Sequence, residues 1–122
     1  MARLRSVAAW IVRLLLAALF VVQGITKLSG SPAWISRFKG WGYPDHFYVA
    51  VGLAELLGAI ALLIPKFTTF GSSMLIVVMV GATATHVVYR EPQVVTTLVI
   101  LIMLAASLYV RRSTSARSSR LP

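Results

Sequence analysis

The chain has 122 residues and a formal net charge of +9, with 58% hydrophobic and only 12% charged residues. A soluble domain of this length keeps roughly a quarter of its residues charged, so the composition predicts an integral membrane protein of one domain. There is no cysteine, which excludes disulfides, thiolate metal sites and thiol redox relays.

The excess of basic residues has two interpretations. Twelve Lys and Arg stand against three Asp and Glu, and such an excess can indicate binding to nucleic acid. Here the basic residues lie mainly at the ends of apolar segments, where anionic headgroups and the positive-inside bias account for them. We therefore expect membrane lipids, and no nucleic acid, among the partners.

Four long apolar runs fill most of residues 1–110. Each is close to the roughly 20 residues that a membrane-crossing helix needs. A backbone in hydrocarbon must satisfy its own hydrogen bonds, so helices are the expected form. The predicted spans are residues 7–28, 47–64, 67–89 and 93–110.

The connections between the runs predict the topology. Residues 65–66 and 90–92 are so short that the helices they join must be antiparallel neighbours. The longer connection, residues 29–46, combines Gly and Pro with aromatics such as Trp34 and Trp41, which prefer the headgroup level. The predicted fold is an all-α, integral membrane four-helix bundle, up-down-up-down, with an interfacial segment between helices 1 and 2.

The two ends of the chain differ from the spans. Residues 111–122 are rich in Ser and Arg without apolar periodicity, which predicts a disordered basic tail. The placement of Lys and Arg favours cytoplasmic N- and C-termini in a multi-pass membrane protein. A cleavable signal peptide is the competing interpretation of the first run, but Arg13 would interrupt its apolar core.

A single glutamate lies in the middle of the second run. A carboxylate at this depth is costly in lipid unless it is paired, protonated or hydrated, so Glu55 is a candidate functional residue. Gly52 and Gly58 share its helical face. Because small residues let another helix approach closely, we expect Glu55 to face the bundle interior.

Polar side chains from two other helices can reach this interior. Arg13, Gln23 and Lys27 share one face of the first helix, and His86 lies on the third. We predict that Glu55 is bridged to Gln23 or Lys27, with Arg13 as the alternative partner. The predicted binding site comprises all five residues. Alternatively, Arg13 and Lys27 extend to the interfaces, His86 is an interfacial histidine, and a paired Glu55 is purely structural.

Several chemistries have no motif in this chain. There is no HExxH, no phosphate-binding glycine loop and no useful Ser/His/Asp constellation. A metal at His86 and Glu55 would lack further ligands. We expect no catalytic residue, no metal, no resident cofactor and no enzyme acting alone. Asp45 and Glu91 are interpreted as solvated turn residues.

Three short motifs resemble those of the DoxX-like family of small bacterial membrane proteins. Residues 20–28 (FVVQGITKL) are similar to its F-x-x-x-G-x-x-K signature at the end of helix 1, with Arg13 at the upstream arginine. Residues 40–44 (GWGYP) resemble the Gly-x-Pro that commonly precedes its second helix, and residues 52–59 (GLAELLGA) resemble its Glu-x-x-Gly pattern.

The resemblance implies a four-helix membrane bundle and a link to redox systems. The family takes its name from a membrane subunit of a quinone-linked oxidase, and some relatives partner with superoxide-detoxifying and thiosulfate-handling enzymes. It therefore implies a non-catalytic accessory or anchoring subunit of a respiratory or antioxidant complex. Other membrane subunits are the expected partners, and the buried polar network is expected to contact a quinone or a lipid headgroup.

Two other functions stay open. A small proton-coupled transporter would use Glu55 to exchange protons for a cationic substrate, although Arg13 and Lys27 would repel such a substrate. A lipid- or quinone-binding protein without a partner complex is the other alternative.

Overall fold

The computed structural model describes residues 2–119, and the side chains of residues 3–110. These residues form five α-helices and a short 3-10 turn, residues Pro65–Phe67. No strand occurs among the described residues, which confirms the all-α class. The helices are α1 (Ala2–Leu28), α2 (Pro32–Gly40), α3 (Phe47–Leu63), α4 (Thr68–Val88) and α5 (Val94–Ser119).

The four predicted apolar runs lie in α1, α3, α4 and α5. Arg3–Leu28 and Pro65–Val88 are long and apolar enough to cross a membrane, whereas Phe47–Leu63 and Val94–Val110 are shorter apolar stretches. The helix assigned to α5 continues to Ser119. The structure does not describe the side chains of residues 111–122 or any part of residues 120–122. The disorder predicted for this tail therefore stays a prediction.

The interfacial segment contains a nine-residue helix that the sequence analysis did not predict. Pro32 opens α2, a position where its missing N–H costs no hydrogen bond. The helix ends before Gly42, which has a φ of 79° that glycine adopts without strain. The segment therefore returns the chain from α1 to α3 as an ordered helix.

The long helices pack in a ring. α1 contacts α3, α3 contacts α4, α4 contacts α5, and a smaller contact joins α5 to α1. The core lies towards the end of the ring where the 3-10 turn joins α3 to α4. Leu16, Phe20, Leu62, Leu75 and Leu104 there are at most 2% exposed. α2 lies at the opposite end and contacts α1 and α3.

Two pairs of glycines bring helices into backbone contact. A Cβ added to Gly24 of α1 would lie 2.8 Å from the carbonyl oxygen of Gly52 in α3. A Cβ added to Gly71 of α4 would lie 2.7 Å from the carbonyl oxygen of Gly58 in α3. Such close approaches require small residues, as in other membrane helix interfaces.

Replacing Gly71 by alanine is expected to destabilise the protein, because the new methyl group would meet rigid backbone. Overpacking of this kind typically costs about 1–3 kcal/mol. Gly81, on the same helix, has nothing within 4 Å of an added Cβ. Gly81→Ala should therefore raise stability by roughly 0.5–1 kcal/mol through helix propensity alone. Thermal unfolding of both variants in detergent tests this contrast, and equal shifts in Tm would contradict the close α3–α4 contact.

Candidate ligand-binding site

A buried ion pair joins the first and third helices. Lys27 lies in the last turn of α1, and its Nζ is 2.7 Å from Oε1 of Glu55 in α3. The two residues are 4% and 1% exposed. The glycine contact explains why they meet, since a Cβ on Gly52 would lie 2.7 Å from the Cβ of Lys27. The pairing left open by the sequence is thus with Lys27.

Two other side chains surround the Lys27 ammonium group. Oε1 of Gln23 accepts a long hydrogen bond from Nζ at 3.4 Å, and the centroid of the Trp34 ring lies 3.8 Å away. The aromatic face stabilises the cation through its quadrupole. Oε1 of Glu55 is buried and forms an ion pair with the Lys27 ammonium group. No other described group donates a hydrogen bond to this oxygen. Each charge therefore depends strongly on the other.

A cavity of about 490 Å³ lies beside this ion pair. This volume falls within the roughly 300–1,000 Å³ typical of small-molecule sites, which are mostly apolar with a few placed polar groups. The lining comes from the second halves of α1 and α4, the first halves of α3 and α5, and the α2 segment. Its charged or hydrogen-bonding side chains are Gln23, Lys27, Trp34, Arg37, Trp41, Tyr43, Glu55, Thr85, His86, Gln93, Thr96 and Thr97.

An aromatic cluster covers the end of the cavity. Phe38 of α2 is 6% exposed, and its ring centroid lies 5.3–6.2 Å from those of Trp34, Trp41, Tyr43 and Phe47. Rings at these separations attract one another beyond the burial of their area. All five residues also line the cavity. The segment that contains α2, residues 29–46, therefore forms the roof of the cavity together with Phe47 at the start of α3.

Hydrogen bonds attach this roof to the turn between α4 and α5. Nε1 of Trp41 donates to Oε1 of Glu91 at 3.1 Å, and Nδ1 of His86 lies 2.7 Å from the same oxygen. The Tyr89 hydroxyl donates to the Trp41 carbonyl oxygen at 2.7 Å, and the hydroxyls of Tyr43 and Thr85 are hydrogen-bonded. We call these contacts the latch.

The structure brings four of the five predicted site residues to one cavity. Gln23, Lys27 and Glu55 form one group, and His86 lines another wall, where it contacts Glu91. Arg13 does not line the cavity. It lies about 21 Å from Lys27 along α1, given the rise of an α-helix, with its guanidinium 4.5 Å from the ring centroid of Trp10.

The interpretation of Glu91 as a solvated turn residue is wrong. Its side chain is only 32% exposed and accepts from Trp41 while contacting His86. Asp45, in contrast, is exposed as expected. The sequence held a signal for the roof, because Trp34, Phe38 and Trp41 recur at helical spacing. It held no signal for the hydrogen bond between Glu91 and Trp41, because the two residues are fifty positions apart in the chain.

The fifth helix supplies a polar wall that the sequence analysis missed. Thr96 and Thr97 in the first turn of α5, and Gln93 just before the helix, line the cavity. The Thr97 hydroxyl donates within its own helix, to the carbonyl oxygen of Val94 at 3.0 Å. Among the residues that the structure describes, no group of three or more His, Asp or Glu side chains could hold a metal ion.

These features define an all-α membrane protein with an aromatic-roofed cavity beside a buried ion pair. The chain belongs to the DoxX-like family, which it matches over residues 11–108. It is similar to the uncharacterized protein YdgD of Bacillus subtilis (strain 168), with 27% identity over 99 residues, 78% of this chain and 87% of that protein. No solved structure gives a significant match.

Glu91→Ala is expected to loosen the roof without unfolding the helices. The partly exposed carboxylate holds Trp41 and His86, a contribution of about 1 kcal/mol for this kind of hydrogen bond. Backbone amides of residues 33–41 should then exchange hydrogen roughly fivefold faster. Asp45→Ala removes an exposed carboxylate from the neighbouring loop and is the matched control. Equal exchange in both variants would show that the latch does not hold the roof.

Proposed function

We propose that the protein is a non-catalytic subunit of a respiratory or antioxidant redox complex in the bacterial plasma membrane, and that its cavity holds the ring of a quinone. The observation that carries this proposal is the 490 Å³ cavity with a buried ion pair in its wall. Membership of the DoxX-like family supports the membrane setting. The roles of accessory subunit and quinone binder are our inference.

The chemistry of the wall suits a flat ring with carbonyl groups. The Lys27–Gln23 contact, at 3.4 Å, is at the long end for a hydrogen bond, so this ammonium donor can turn to a ligand oxygen. The amide of Gln23 can donate as well. The aromatic side chains of the roof offer apolar surface against which a quinone ring can pack.

We further propose that α1, α3, α4 and α5 cross the membrane as an up-down-up-down bundle, with both termini in the cytoplasm. The 17 residues of α3 extend about 25 Å, somewhat less than the roughly 30 Å of hydrocarbon. A short span of this kind is accommodated by local thinning of the bilayer. In this orientation the cavity and its roof lie in the outer half of the membrane.

The ion pair argues against the proton-coupled transporter. Such a carrier needs a carboxylate that is free to exchange a proton for a cationic substrate, whereas Lys27 already occupies that position beside Glu55. A stand-alone quinone- or lipid-binding protein shares the cavity and stays as the second candidate. It differs from the first only in having no protein partner.

Ligand binding is tested by stabilisation of the purified protein with decylubiquinone. A ligand at a hundredfold excess over its Kd stabilises by about 2.7 kcal/mol, so Tm should rise with concentration. Ala82, half-buried, lines the cavity, and Ala84 on the same helix is exposed outside it. Ala82→Phe should abolish the shift, and Ala84→Phe should preserve it. A wild-type Tm that does not change with quinone would refute quinone binding.

The subunit role is tested by purification from native membranes in a mild detergent. A redox complex predicts stoichiometric co-purification of an oxidoreductase, identified by mass spectrometry. A protein that binds quinone but migrates alone, and whose deletion leaves respiratory flux and peroxide sensitivity unchanged, would instead be the stand-alone binder.

A further inference from the structure

The third and fourth helices are in backbone contact at one end, and Gly81 of α4 has open space beside it towards the other. Near the 3-10 turn, Gly71 of α4 is in backbone contact with Gly58 of α3. Gly81 lies ten residues further along α4, about 15 Å given the helix rise. A Cβ added there would meet nothing within 4 Å. Gly81 therefore has open space beside it at the end of α4 where the cavity lies.

Four of the small or apolar residues that α3 and α4 contribute to the cavity lining bear on how it opens. Ala50 and Ala54 belong to α3, and Val77 and Gly81 to α4. Ala50 and Gly81 are exposed, Ala54 is half-buried, and Val77 is 71% exposed although it lines the cavity. Residues that are both exposed and part of the lining mark openings. Gln93 and Thr96 mark a polar opening on the α5 side, and the opening between α3 and α4 is apolar. We call the four residues of α3 and α4 the window.

The window and the roof differ in the polar contacts around them. At the roof, Trp34 donates to Thr26 of α1 at 3.0 Å, and the latch attaches Trp41 to Glu91. At the window no side chain carries a hydrogen-bonding group. A ligand that enters through the roof has to break these hydrogen bonds. An apolar group can pass the window without displacing any polar contact.

We infer that the cavity opens through the window into the hydrocarbon of the bilayer, and that its ligand is a lipid-soluble amphipath with a single apolar tail. This inference rests on the proposed ligand-binding function of the cavity. The polar head contacts Gln23 and Lys27, the donors of the opposite wall, and the tail leaves between Ala50 and Gly81. The tail thus shares the environment of the surrounding lipid chains.

Gly81 has a specific part in this arrangement. Glycine in a helix interior is less favourable than alanine, and no packing contact here requires it. Its missing side chain leaves the window open for a tail. Gly81 is therefore the residue that sets whether a tailed ligand fits.

The test compares two benzoquinones that carry the same ring, ubiquinone-0 without a tail and decylubiquinone with a ten-carbon chain. Binding to purified protein in lipid nanodiscs is measured for wild type, Gly81→Leu and Ala105→Leu. Ala105 is exposed on α5 outside the cavity and is the matched control. Gly81→Leu should weaken the binding of decylubiquinone by at least about tenfold. This is the factor expected when roughly two methylene groups are excluded from apolar contact. Ubiquinone-0 should bind within about twofold of wild type, as should both quinones in Ala105→Leu.

Each other outcome is decisive. If Gly81→Leu weakens the binding of both quinones equally, or of neither, the tail does not use the window. The inference is then wrong, while quinone binding stands. If neither quinone binds wild type, the proposed function fails and the inference fails with it. Gly81→Ala, which adds one methyl group in open space, checks that the helix still folds. An unfolded Gly81→Ala protein would show that the window is not open.

Discussion

The ion pair between Lys27 and Glu55 is the constraint on which the rest of this structure depends. Two opposite charges lie 2.7 Å apart, each almost wholly excluded from water. Removing ions from water is costly, and a buried pair is retained only when its geometry returns most of that cost. Here Gly24 and Gly52 bring α1 and α3 into contact and so fix the distance between the two charges. In this half of the molecule, the packing of α1 against α3 therefore also determines the strength of the ion pair.

The same packing creates the space for a ligand. Tight contacts at Gly24–Gly52 and Gly58–Gly71 hold α1 to α3, and α3 to α4. The cavity lies towards the other end, and the aromatic segment around Phe38 covers it instead of filling it. The cavity is the feature on which our proposal of small-molecule binding rests.

The sequence predicts the parts of this account that depend on local pattern. The length and apolarity of the runs predict the helices, and the isolation of Glu55 in hydrocarbon predicts a buried partner. The sequence favoured Gln23 or Lys27 but left Arg13 open, because Glu55 lies near the middle of its span and a long basic side chain can reach it from either side. The latch was missed for a similar reason. Trp41 and Glu91 look like ordinary residues of an interface and a turn, and only the tertiary fold brings the turn after α4 next to the end of α2.

A double-mutant cycle on Lys27→Met and Glu55→Leu, read as free energies of unfolding, tests the central claim most directly. Each single variant leaves one charge buried and unpaired, so each should lose about 3–5 kcal/mol, while the double variant should return to within about 1 kcal/mol of wild type or exceed it. The control cycle pairs Glu55→Leu with Lys66→Met, an exposed lysine in the 3-10 turn, and should be additive. Additive losses for Lys27 and Glu55, with no recovery in the double variant, would contradict the ion pair.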